Sequence, residues 1–167
     1  MNTDITQLAP NVFVSNWDTS NNIDILKMYN IKAVLTIETR PKPEKILNYY
    51  TYNNIDFGYI YLPDIYYANI SEYFDSTFEF IENHTSRGEN VLVHCWAGIS
   101  RSVTIILNYV LKKYYLKYKH WGIDPEIMIN NTILNLRHGR PIINPNSGFL
   151  EQLKNKCLKY KRGIFNG

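Results

Sequence analysis

The sequence predicts an α/β fold in which a central sheet, mixed but mostly parallel, is flanked by helices. Three observations predict it. Short aliphatic runs such as Ala33–Ile37 and Val91–Val93 have the length and β-branched content of buried strands. Between them lie segments whose apolar residues recur at helical spacing, the alternation that builds parallel sheets covered by helices. The stretch Val91-Leu-Val-His-Cys-Trp-Ala-Gly-Ile-Ser-Arg-Ser102 passes from an aliphatic run through a tight turn into the apolar-periodic segment Val103–Leu116. At 167 residues, with 45% hydrophobic and 20% charged content, the chain fits a single domain over 1–167 with its own core.

Taken in order, Val12–Val14 reads as a short strand, and the polar stretch Asp18-Thr-Ser-Asn-Asn22 as the cap of a helix over Ile23–Tyr29. Ala33–Ile37 is a continuous apolar run and hence a buried strand. Two prolines in Thr39-Arg-Pro-Lys-Pro-Glu44 break regular structure. Ile55–Leu62 reads as the next strand, ending at Pro63. From Ile70 to Thr85, Ile70, Phe74, Thr77 or Phe78, and Ile81 recur at helical spacing, with Ser71 near the start and Gly88 beyond the end. After the helix at 103–116, Gly122 is expected to close one helix and Asp124-Pro125 to open the next. That helix runs to Arg137, with Ile127, Ile129 or Asn130, and Ile133–Leu136 inward. Ser147–Tyr160 reads as the last helix.

The turn inside 91–102 carries the chemistry. A loop leading into a helix N-terminus collects backbone N–H groups without intrahelical partners, and the helix dipole adds partial positive charge, so the place binds anions. The same field favours a thiolate over a thiol, which makes Cys95 a nucleophile candidate. Taken alone, a cysteine after Val-Leu-Val is more often core. Gly98 and Arg101 at their spacing shift the reading, because an arginine fork matches two oxygens of a phosphate where a lysine offers a point charge. His94 and Cys95, adjacent on a strand, point to opposite faces, which argues against a shared metal. His94 is better suited to orienting the loop by hydrogen bonding.

Val93-His-Cys-Trp-Ala-Gly-Ile-Ser-Arg-Ser102 resembles the phosphate-binding loop of the cysteine-dependent protein tyrosine phosphatase superfamily, and its Ala-Gly-x-Ser-Arg-Ser form resembles the dual-specificity branch. Arg140-Pro-Ile-Ile-Asn-Pro-Asn-Ser-Gly-Phe-Leu-Glu-Gln-Leu153 and Leu8-Ala-Pro-Asn-Val-Phe-Val-Ser15 are similar to other segments of that branch, the latter to its opening strand. The resemblance implies a compact three-layer phosphatase fold and hydrolysis of phosphotyrosine and phosphoserine or phosphothreonine through a cysteinyl-phosphate. It implies Cys95 as nucleophile and Arg101, with the loop residues Trp96, Ala97, Gly98, Ile99 and Ser100, as phosphate ligands. It places the general acid at Asp64 and a loop brace at Asn146. Ser102 then stabilises the departing thiolate. By themselves, Asp64 is also an ordinary residue of a turn after proline, and Asn144-Pro-Asn146 an ordinary turn. Neither metal nor organic cofactor is implied, and the partners are phosphorylated proteins. An RNA 5′-triphosphatase or other non-protein phosphatase uses the same loop and stands as the alternative.

The net charge of +3 does not argue for nucleic acid. Lys154, Lys156, Lys159, Lys161 and Arg162 fit a solvated helix face, where cations also complement the dipole. In Lys112–Glu126, lysines interleaved with aromatics suit either a solvated helix extension or a nucleic-acid contact through stacking and charge. No apolar run approaches the roughly 20 residues that span a bilayer. The start has no secretory signal pattern, and two cysteines make no disulfide framework. A nucleophilic thiolate needs a reducing compartment, so an intracellular setting, cytoplasmic or nuclear, is expected.

Overall fold

The computed structural model describes residues 3–118 and 122–167. β5 (Asn90–His94) is the middle strand of a five-stranded sheet ordered β1-β2-β5-β3-β4. β1 (Ile5–Ala9) runs antiparallel to β2 (Val12–Ser15). β2 with β5, β5 with β3 (Ile31–Glu38) and β3 with β4 (Asp56–Tyr61) are parallel. The sheet is mixed and mostly parallel, as the alternation of runs predicted.

Side chains alternate between two cores, one on each face. Val12, Val14, Leu35, Ile37, Val91 and Val93 join one cluster, while Phe13, Val34 and Leu92 join the other. The second is closed by Leu26 of α2 (Ile23–Met28) and by Ile46 and Tyr50 of α3 (Glu44–Tyr52). α4 (Phe74–Thr85), α5 (Arg101–Lys117), α6 (Pro125–Leu136) and α7 (Ser147–Lys161) close the first through residues such as Ile81, Ile106, Ile133 and Phe149. Because both faces are covered, the strands show no polar alternation.

Several local expectations change. Residues 17–20 form a one-turn helix, α1 (Trp17–Ser20), capped by Asn16, and it is Asn22 that accepts from Asp24 and Ile25 N–H to start α2. α3 follows the two prolines directly. Pro43 sits at its N-cap, where a missing N–H removes no helical bond. The opening strand is a hairpin, its turn helped by Asn11 in the left-handed region (φ 62°). A 3₁₀ turn over Ser71–Tyr73 precedes α4. α5 ends at Lys117, ahead of Gly122, and 119–121 of the Lys112–Glu126 stretch lie outside the described residues. Ile127 and Leu134 of α6 face outward, because Met128, Ile129, Ile133 and Leu136 make the inward stripe. Lys112 and Lys156 are not solvated: both are buried around Asp75, with Nζ–Oδ1 distances of 3.5 and 3.0 Å. Hydrophobic periodicity cannot reveal such a pairing, since it depends on a carboxylate on another helix. No helix among the described residues is long and apolar enough to cross a membrane.

Candidate active site

In open α/β sheets the crevice beyond the carboxyl ends of the parallel strands is where ligands bind. Here the ends of β2, β3, β4 and β5 supply the residues of one such crevice. At its centre, the turn 95–100 joins β5 to the N-terminus of α5. Cys95 is buried, 2% exposed, with Sγ 3.2 Å from the Ser102 hydroxyl. Among the described residues, no protein acceptor takes the backbone N–H groups of residues 96–101. Buried or crowded amides are rarely left unpaired without a ligand or water to meet them.

The outer side of the turn is held instead. Arg140 donates from Nε to Gly98 O (2.8 Å) and from Nη2 to Ala97 O (3.2 Å), and Asp4 grips the same guanidinium at 2.8 and 2.9 Å. Asn144 N–H takes Ile99 O at 3.0 Å. With its carbonyls drawn outward, the turn is free to present amides inward. Gly98 is required twice over: its φ is +65°, and a Cβ there would lie 2.6 Å from both Arg140 Nη2 and Ser15 O.

Arg101 is buried and clamped by Glu38, at the end of β3. Nη1 and Nη2 donate to the two carboxylate oxygens at 3.1 and 3.2 Å, and Nη1 also to Leu62 O at 3.0 Å. Its Nε is buried without a partner. Asp64 lies on the segment after β4 and reaches the turn: Oδ1 accepts from Ser100 Oγ and from Asn146 Nδ2, each at 2.8 Å. Asn146 also donates its N–H to Ser100 Oγ (3.0 Å) and caps α7 through Phe149 N–H (2.9 Å). Asp64, Ser100 and Asn146 therefore form one hydrogen-bonded unit.

His94 is fully buried beneath the turn. Its Nδ1 lies 3.1 Å from Cys95 O, which can only accept, so Nδ1 carries the proton and Nε2 accepts from Thr36 Oγ1 at 2.7 Å. Burial, and secondarily the charge of Lys42, hold the imidazole well below the usual histidine range. Lys42 Nζ is itself buried, bonded to Ser20 Oγ (2.9 Å) and Asn21 Oδ1 (2.8 Å), with its pKa pulled down to about 7 by desolvation. Trp96 stands at the rim, 44% exposed.

Every residue named from the sequence thus lies in or against the turn. Glu38, Arg140, Thr36 and Lys42 were missed. Glu38 had left a signal, a carboxylate closing the run Ala33–Ile37 of apolar residues and one threonine. Arg140 lay inside the segment that carried the resemblance, but its reach back to the turn is a tertiary fact.

A strand–turn–helix with a buried thiol, inward amides and a clamped arginine places the chain in the class of cysteine-dependent phosphatases. Comparison with known families gives the branch: the family described as "Dual specificity phosphatase, catalytic domain" matches residues 12–157, and the chain belongs to it. A probable dual specificity protein phosphatase of Dictyostelium discoideum is 35% identical over 98% of this chain and 36% of its own length. Dual specificity protein phosphatase 1 of Arabidopsis thaliana is 31% identical, over 81% of this chain and 60% of that protein. The chain therefore spans less than two thirds of the length of these relatives. The crystal structure of DUSP15 is similar at a TM-score of 0.78 and 26% identity, covering 98% of this chain and 96% of that one. The phosphatase domain of Yvh1 from Chaetomium thermophilum, at 24% identity, shares the fold with a TM-score of 0.80 over 97% and 98% of the two chains.

Proposed function

We propose that residues 1–167 act as one catalytic domain that hydrolyses phosphate esters of tyrosine, serine and threonine in proteins. Cys95 Sγ attacks phosphorus in line with the leaving oxygen, and Arg101 with the amides of 96–101 holds the equatorial oxygens. Asp64 protonates the leaving oxygen, which would otherwise depart as an alkoxide or phenoxide. Its Oδ1 is engaged by Ser100 and Asn146, so Oδ2 is the oxygen positioned to carry that proton. A cysteinyl-phosphate remains. Asp64, now a carboxylate, takes a proton from the water that attacks phosphorus, and the Ser102 hydroxyl donates to the thiolate that leaves. A working thiolate suits a reducing, intracellular compartment.

The observation that carries this reading is the buried Arg101 Nε, left without a partner while Glu38 and Leu62 engage the terminal nitrogens. Of the buried groups left unpaired, this donor is the one beside the unpaired amides of the turn, where an oxyanion would meet both. The test is phosphate release from a panel: phosphotyrosyl and phosphothreonyl peptides, an inositol lipid and triphosphate-ended RNA. The peptides are expected to lead in kcat/KM, and Cys95→Ser to abolish turnover while retaining phosphopeptide binding. RNA or lipid leading the panel overturns the protein-phosphatase reading. A serine variant that keeps more than a few per cent of activity removes Cys95 as nucleophile.

A further inference from the structure

The rim of the crevice carries a cation that the catalytic cycle does not use. Arg40, in the loop between β3 and α3, is exposed, and its guanidinium lies 3.8 Å from the centroid of the Trp96 ring. Trp96 is the residue immediately after Cys95. Arg40 has no carboxylate within ion-pair distance among the described residues. Its backbone is fixed from below, because Tyr59 Oη donates to Arg40 O at 2.9 Å and Glu38 O at 3.0 Å, and Pro41 follows. The ring it rests on is fixed too: Trp17 N–H donates to Trp96 O at 2.8 Å, and the two indoles lie 6.2 Å apart at 31°. Arg40 is thus a held charge rather than a mobile one.

No neighbour along the chain neutralises Arg40. Glu38, the nearest carboxylate along the chain, is consumed by Arg101. Lys42 lies under Trp17, 4.8 Å from that ring, with only neutral hydrogen-bond partners. A cavity of about 410 Å³ beside Trp96 is lined by Trp17, Ala97, Ile142 and two acids, of which Asp4 is paired with Arg140 and Asp18 has no ion pair among the described residues.

We propose that Arg40, seated on Trp96, selects substrates with an anionic side chain close in sequence to the residue being dephosphorylated. This rests on the phosphatase reading above. The recognised chemistry is an oxyanion, either the carboxylate of Asp or Glu or the phosphate of a second phosphorylated residue. The distance is bounded by the geometry: one peptide unit from Cys95 to Trp96, the indole, and the 3.8 Å stack place the guanidinium within roughly 12 Å of the Cys95 Cα, the reach of three to four extended residues. Arginine suits the role because its planar fork can lie on an aromatic face and still direct N–H donors outward to an oxyanion.

The test compares three phosphopeptides that differ only within three residues of the scissile phosphate: neutral, glutamate-flanked and flanked by a second phosphoserine. The readout is the ratio of kcat/KM for each anionic peptide to the neutral one, measured with the same enzyme preparation. Wild type is expected to give a ratio of about five to ten, as one exposed charge-assisted contact allows, shrinking as salt is raised. Arg40→Lys should keep part of the ratio, Arg40→Ala should bring it near one and Arg40→Glu should invert it. The two anionic peptides separate the sources, a larger ratio for phosphoserine marking a second phosphate as the preferred ligand. A wild-type ratio near one for both, or a ratio unchanged in Arg40→Ala, overturns this inference and leaves the phosphatase reading standing. Release of phosphate from none of the three peptides takes down that reading and this inference together.

Discussion

At the scale of single residues, the candidate site is held together by groups that lie outside the turn. Glu38 is the sharpest case. It is 2% exposed and gives both oxygens to Arg101, so the pair was desolvated together on folding. Replacing Glu38 with Gln leaves a buried guanidinium charge unbalanced, which costs about 3 kcal/mol or more for pairs of this kind. Glu38→Gln is therefore expected to lower the denaturation midpoint clearly and to reduce kcat/KM by at least about tenfold, since Arg101 loses the clamp that sets its angle. Unchanged stability and kinetics would show that the pair positions nothing. Asp64 makes a graded prediction that mere damage to the turn does not. Asp64→Asn should slow hydrolysis of alkyl and phenyl phosphates by about 10²-fold or more, and that of aryl phosphates with acidic leaving groups much less. Equal losses across the leaving-group series would mean that Asp64 only shapes the turn through Ser100 and Asn146. Two nearby aspartates are engaged elsewhere: Asp56 bonds His84 at 2.9 Å at the start of β4, and Asp75 binds Lys156 between helices.

At the scale of elements, legibility followed burial. The strands and helices that bury a face on both or one side announced themselves, as with β3, β5 and α5, whereas α1, α3 and β1 did not. α3 fully buries only Ile46 and Tyr50, one turn apart, with Leu47 and Tyr49 partly covered, and it has no side-chain cap, so its signal in nine residues was weak. β1 is an edge strand with no fully buried residue, which leaves little alternation to detect. The turn itself was legible because its residue types are dictated by chemistry, while its supports, Arg140 and Glu38, depend on which elements fold back against it. Lys42 belongs with these supports, joining the β3–α3 loop to α1 through Ser20 and Asn21. Its pKa falls from 10.5 to about 7 on folding, so between those values the unfolded chain binds a proton that the folded one has released. Stability contributed at this position must then rise with pH across that window, by as much as about 1.4 kcal/mol per unit. Lys42→Met removes the titration, so its advantage over wild type should be largest near pH 7 and shrink towards pH 10. Chemical denaturation of both proteins at each pH checks this. The paired comparison matters because the Cys157 thiol, pushed up to about 12 by burial, acts in the opposite sense above about pH 9 in both proteins. A constant difference would place the Lys42 amine in contact with solvent.

At the scale of the whole molecule, nearly all of the described chain is spent on the sheet, the two helical layers and the short connections at the strand ends. Those connections set how far the crevice walls rise above Cys95. The β5–α5 turn contributes Trp96 to the rim, the β3–α3 loop contributes Arg40, and the segment after β4 contributes Asp64 and the exposed Tyr66 and Tyr67. The last segment cannot rise freely, because its backbone is pressed onto α7: a Cβ at Gly148 would overlap Tyr66 O, which only glycine avoids. Short walls admit a short side chain as well as a long one. The protein is accordingly expected to hydrolyse phosphothreonine and phosphoserine peptides within about a hundredfold of matched phosphotyrosine peptides in kcat/KM, because on the proposed mechanism the phosphate contacts are shared and only contacts to the side-chain stem differ. A phosphotyrosine preference of about a thousandfold or more would contradict this and would require a wall that the core elements do not supply. Tyr66 and Tyr67, edge to face with ring centroids 5.3 Å apart, are the side chains able to form one. In that event Tyr66→Ala and Tyr67→Ala should each lower phosphotyrosine turnover while sparing phosphothreonine, and equal losses on both substrates would instead indicate that these rings hold the Asp64 segment in place.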